Sequence, residues 1–192
     1  MYNSEYGRLI EGRTVQFERL FPVPVEFAWC YLTAKELLAT WLGEGCIECR
    51  IGGAVRLHTL GNSISGVVTS VKPYKRLVYC WSPSPNGMAS DVFICCGSLV
   101  TFDLRPEGEK AALKVTHAPV LEEHFARALA LWHAFLDRLA ASMFQLQPES
   151  FLRRYNRLLP EYDCRYPQKV RPTRSVRRRT FARADEFAVL HA

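Results

Sequence analysis

No run of about 18 consecutive apolar residues occurs, so no membrane-spanning helix is expected. The opening residues, MYNSEYGRLIEGR, are polar and include acids, and lack the apolar core of a signal peptide. A cytoplasmic location is therefore expected. There is no glycine-rich phosphate loop and no nucleophile elbow, and no spacing ties His117, His133, Tyr79 and Asp103 into a catalytic constellation. A non-catalytic role is the expectation. Cysteine is not scarce, but its number is odd: Cys30, Cys46, Cys49, Cys80, Cys95, Cys96 and Cys164. An odd count in a chain of this length argues against a disulfide framework and for reduced thiols packed as small hydrophobes. Cys46-x-x-Cys49 is half of a zinc motif. No second pair follows at metal-site spacing, and on a strand residues three apart point to opposite faces. No metal and no cofactor are expected.

Charge of one sign is also missing, except at the end. From Cys164 onward eight basic residues stand against two acidic ones, a net +6 that equals the charge of the whole chain. The basic balance thus belongs to the tail and is no argument that the folded part binds nucleic acid. The segment RPTRSVRRRTFARADEF has few large apolar residues and is expected to be disordered. It reads as a solvated extension or as the attachment point of an anionic partner such as nucleic acid, acidic protein or lipid head groups.

Hydrophobic residues make up 48% of the 192, enough for the core of one domain. Thr14 to Phe21 carries Val15, Phe17 and Arg19 in alternation, the period of a half-buried strand. After Pro22 and Pro24, the spacing of Val25, Trp29 and Leu32 predicts a short helix. Thr33 with Glu36 reads as a capping box for a second, AKELLATWL, which Gly43 and Gly45 would end. Strands are predicted over Ile47–Ile51, Ala54–Leu60, Ile64–Val71, Arg76–Ser82, Asp91–Leu104 and Ala111–His117, with PSPNGMASD as a loop. Then the period changes. Phe125, Leu129, Trp132, Leu136, Leu139 and Met143 predict one long amphipathic helix over Val120–Phe144. A further short helix is expected over Glu149–Leu159. The order reads as an α+β domain, an antiparallel sheet whose apolar face needs the long helix as cover.

Several segments resemble the heat-shock-protein-90 ATPase activator-like domains: FPVPVEFAWCYLTAKELLATWLG, IGGAVRL, GVVTSVKPYKRLVYCWS, VTFDL, KVTH and LWHAFLDRLA. They follow that family's order from about Arg13 to Met143. The resemblance implies a helix-grip fold of the START-like, birch-pollen-allergen-like kind, a curved antiparallel sheet wrapped around a long C-terminal helix. It divides the chain into an N-terminal extension (1–12), the helix-grip domain (13–147), an added short helix (148–163) and the basic tail (164–192). It also implies a small apolar ligand between helix and sheet, a chaperone partner, or the chemistry of a polyketide cyclase or dehydratase. The loop at 83–91, the Cys95–Cys96 pair and the arginine tail depart from the family's pattern.

On the inferred inner faces, the candidate ligand-binding residues are Leu57, Tyr79, Trp81, Phe102, Val115, His117, Trp132, His133 and Leu136, with Trp41 and Leu42 as one wall or the mouth. Such pockets are mostly apolar, with a few polar groups that orient the ligand, here His117 and His133. The same positions would also serve simply to fill a core.

Overall fold

The computed structural model describes residues 6–11, 13–83 and 97–167. Residues 84–96, with Cys95, Cys96 and the start of the strand expected from Asp91, and residues 168–192, with most of the basic tail, lie outside them. Among the described residues, eight strands form one antiparallel sheet: β1 (Arg8–Ile10), β2 (Thr14–Phe21), β3 (Glu44–Ile47), β4 (Ala54–Thr59), β5 (Asn62–Lys72), β6 (Arg76–Pro83), β7 (Ser98–Glu107) and β8 (Lys110–Ala118). Their spatial order is β1-β2-β8-β7-β6-β5-β4-β3. Four α-helices accompany it: α1 (Val25–Thr33), α2 (Lys35–Trp41), α3 (Phe125–Met143) and α4 (Phe151–Arg165). This is the helix-grip architecture that the family resemblance implies, with the antiparallel sheet and long covering helix that the residue pattern predicts. Among the described residues no helix is long and apolar enough to cross a membrane.

Alternation sets which face each strand buries. Val15, Phe17, Arg19 and Phe21 of β2 point inward, while Leu20 is left on the outer face. Leu77, Tyr79 and Trp81 of β6 do the same, as do Val100, Phe102 and Leu104 of β7. The register between Val68 and Ser70 slips by a bulge opposite β6, and such slips bend a strand. At Gly66, on the same strand, a Cβ would sit 1.9 Å from the carbonyl oxygen of Cys80, so the β5–β6 approach requires glycine. On α3, Leu129, Trp132, Leu136, Leu139 and Met143 share one face, and all are buried.

Several local expectations change. Thr33 does not cap α2: it is still helical, its hydroxyl donates to the carbonyl of Trp29 at 2.9 Å, and Ala34 holds the cap position. The strand expected at Ile47–Ile51 lies earlier, over Glu44–Ile47. Gly45 is inside it rather than at a helix end, because a Cβ there would meet the Arg56 carbonyl oxygen at 2.0 Å. The long helix begins with a separate 3-10 turn at Glu122–His124. The closing helix runs past Leu159 to Arg165 with Pro160 inside it. Pro160 is exposed, and so is Asn156, whose carbonyl it leaves without a helical donor. The short strand β1, pairing with β2, has no counterpart in the sequence pattern.

Candidate functional site

Where the long helix crosses the sheet, the side chains that meet are mostly aromatic. Trp132 of α3 lies 5.7 Å from Trp81, 6.0 Å from Phe102 and 5.9 Å from His117, ring centre to ring centre. Tyr79 stacks on Trp81 at 6.4 Å and meets Phe102 at 6.0 Å. Trp41, at the end of α2, closes one side against Phe102 at 6.2 Å and fixes its indole by donating to the Tyr31 carbonyl. Val115 sits beside Phe102 across β7 and β8. Leu57 and Leu136 complete the same buried cluster. Separations of 4.5–7 Å are the ordinary range for rings in contact. All of these side chains are at most 2% exposed. Burial therefore does not by itself separate a ligand wall from a core.

Polar groups inside this cluster behave in two ways. His117 is fully engaged. The Trp132 indole N–H can only donate, so His117 Nδ1, 3.0 Å away, is the acceptor. The imidazole is neutral, because burial pushes its pKa down to about 3. Its proton is then on Nε2, which donates to Ser98 Oγ at 2.6 Å. Ser98 in turn donates to the Trp81 carbonyl at 3.3 Å. The chain of bonds is closed, and His117 has no free nitrogen with which to act as a base. Tyr79 is the opposite case. It is fully buried, its hydroxyl has no hydrogen-bond partner among the described residues, and burial raises its pKa. Ser98 escaped the list of candidates, although alternation from Val100 and Phe102 puts it on the inner face.

His133 belongs to a different site. It faces β1, β2 and α4, against Tyr6 (5.4 Å), Phe17 (6.0 Å) and Tyr162 (5.9 Å). Its Nδ1 is 2.9 Å from the Tyr162 hydroxyl, which also accepts the Gly7 N–H at 2.8 Å. Its Nε2 lies 3.3 Å from Arg154 and 3.6 Å from Asp137, which themselves pair at 2.6 Å. Burial, and then Arg19, Arg154 and Arg165, push its pKa down to about 3. Tyr162 lies beyond the helix end expected at Leu159. Yet Phe151, Tyr155, Leu158 and Tyr162 are all buried, at spacings of 4, 3 and 4, and that rhythm continues through Pro160.

A cavity of about 310 Å³ opens against the face of α3 that points away from the sheet, lined by Ala134, Arg138, Ala141, Leu146 and Pro148 among others. Of the cysteines, Cys46 lies in β3 and is partly buried, whereas Cys49 lies in the following turn and is exposed.

The family model described as activator of Hsp90 ATPase homolog 1-like protein matches residues 22–143. No curated protein matches the sequence. Among solved structures, CalU16 from Micromonospora echinospora is similar at 21% identity and a TM-score of 0.63, with 85% of this chain and 96% of that one covered. MLL2253 from Mesorhizobium loti is similar at 24% identity and a TM-score of 0.61, covering 70% and 99%. DynU16, described as a putative protein in the dynemicin biosynthetic locus, is similar at 23% identity and a TM-score of 0.60, covering 71% and 49%. At these identities the likeness is one of fold.

Proposed function

The chain belongs to the activator of Hsp90 ATPase homolog 1-like family, and from that premise we propose that it is a non-catalytic binding module for a small apolar molecule carrying one polar group. The molecule would lie between the sheet and α3, with its polar group meeting Tyr79. One observation carries this reading: a fully buried tyrosine hydroxyl without a partner among the described residues, set among the rings of Trp81, Phe102 and Trp132. A buried hydroxyl left unpaired costs about 1–3 kcal/mol, a cost that a bound acceptor or donor would offset. The same bonds that satisfy His117 leave it no free lone pair with which to take a proton, which supports binding over cyclase chemistry. Because the lining side chains are closed to water, entry requires α3 and the sheet to part locally.

The test has two arms. Native mass spectrometry with solvent extraction of the purified protein should yield a stoichiometric apolar compound. Tyr79→Phe should leave the empty protein as stable or about 1 kcal/mol more stable, since it removes an unpaired hydroxyl, while weakening the compound about tenfold. If Tyr79→Phe destabilises the protein and binding does not change, Tyr79 is a core residue and the reading fails.

A further inference from the structure

The cavity behind α3 has an uneven charge distribution. Four ionisable side chains line it: Asp137, Arg138, Glu149 and Arg154. Three are already satisfied. Arg154 bonds to Asp137 at 2.6 Å, and Glu149 bonds to Arg157 at 2.8 Å. Arg138 has no carboxylate partner among the described residues; its guanidinium donates one bond, to the Thr40 carbonyl at 3.2 Å. It is also half-buried, and burial works against its charge. A guanidinium taken partly out of water without a counter-ion is costly unless an anion completes it.

Apart from Gln147, the rest of the lining is apolar. Ala134 and Ala141 form the floor on α3, and Leu146 and Pro148 the wall on the connection to α4. The alanines matter, because larger side chains at these helix positions would fill the space. A volume of about 310 Å³ is at the lower end of small-molecule sites.

We propose that this cavity is a second binding site, for a small monocarboxylate with a short hydrocarbon body, whose carboxylate pairs with Arg138 and whose chain lies on Ala134, Ala141 and Leu146. The planar fork of an arginine matches a carboxylate through two parallel bonds. A doubly charged phosphate is a poorer fit, because the Asp137 and Glu149 carboxylates share the cavity and would repel the second charge. The site is on the face of α3 opposite Trp132 and does not depend on the ligand proposed for the interior.

Octanoate and 1-octanol serve as probes for the full chain, followed by two-dimensional NMR of the backbone amides and arginine side chains. Octanoate should bind saturably and shift the Arg138 side chain and the amides between Ala134 and Glu149. Octanol should bind at least about tenfold more weakly, the usual margin for losing a charged hydrogen bond. Arg138→Met should cost octanoate a similar factor. Ala141→Phe, which fills the cavity and keeps the arginine, should abolish binding and guards against a folding defect in the first variant. The proposal is overturned by any of three results: no saturable octanoate binding, equal binding of octanol, or shifts confined to β6, β8 and the Trp132 indole. The last result would place the probe in the interior and leave the proposed function standing.

Discussion

His117 and His133 are both buried, and both have their pKa pushed down to about 3, yet their surroundings differ in kind. His117 is held by neutral partners, Trp132 and Ser98, inside an aromatic shell. His133 is held by Tyr162 within a cluster of charges, with Arg154 and Asp137 at its other nitrogen. The origins differ too. Every partner of His117 comes from within residues 22–143, the span the family model matches. The His133 cluster draws Tyr6, Gly7, Arg154 and Tyr162 from outside that span. The family's sheet and helix therefore build the first site alone. The second exists because β1 and α4 close over the flank of α3.

The largest expected effect tests the first region. Trp132→Ala removes the ring that Trp81, Phe102 and His117 all touch, and leaves His117 Nδ1 without its donor. Loss of about 3–5 kcal/mol in urea denaturation is expected, the usual range for a buried tryptophan. A loss below about 1 kcal/mol, far under that range, would mean that these contacts do not hold α3 to the sheet.

A smaller change should separate the second region from the first. Tyr162→Phe deletes one hydroxyl, leaving the Gly7 N–H and His133 Nδ1 without their partner. The expected cost is about 1–3 kcal/mol. More telling is where it appears. Amide hydrogen exchange should speed up in β1 and α4, while β6, β7 and β8 keep their protection. Acceleration spread evenly over the sheet would show that the two regions unfold as one unit, and the division drawn above would be wrong.

What could be read from the sequence follows the same division. The strands and the long helix were legible because their apolar residues keep a period over six or more positions, as in β2 and α3. The grouping of Tyr79, Trp81, Phe102, His117 and Trp132 followed, since alternation fixes which face of a strand is buried. Which of these groups would be satisfied did not follow: the Trp132–His117 bond depends on side-chain angles, not on spacing. The second region was nearly invisible. β1 is three residues long, too short to show a period. The contacts that define the site join Gly7 to Tyr162 and His133 to Tyr162 across 155 and 29 positions, and no local pattern encodes such pairings. His133 was placed with the pocket residues because it adjoins Trp132 in sequence, but on a helix adjacent residues point about 100° apart.

The smallest effect asks whether the arginines truly distinguish the two histidines. For each, the folded pKa of about 3 lies below the ordinary value of about 6.5. Between those limits the unfolded chain holds a proton that the folded chain does not. The stability from each histidine is therefore complete above about pH 6.5 and is lost as the pH falls towards 3. Near pH 5 each contributes up to about 1.4 kcal/mol per pH unit to the slope. His117→Asn leaves only the His133 contribution, and His133→Asn leaves only that of His117; the carboxylates titrate in both variants and cancel in the comparison. In about 1 M salt the screening length falls to about 3 Å, which weakens the repulsion that Arg19, Arg154 and Arg165 add at His133. The acid-induced loss should then shrink in the His117→Asn variant and hold nearly constant in the His133→Asn variant, where burial alone acts. An equal response to salt would mean that burial sets both values and that the charged cluster adds nothing to His133 beyond a place to sit.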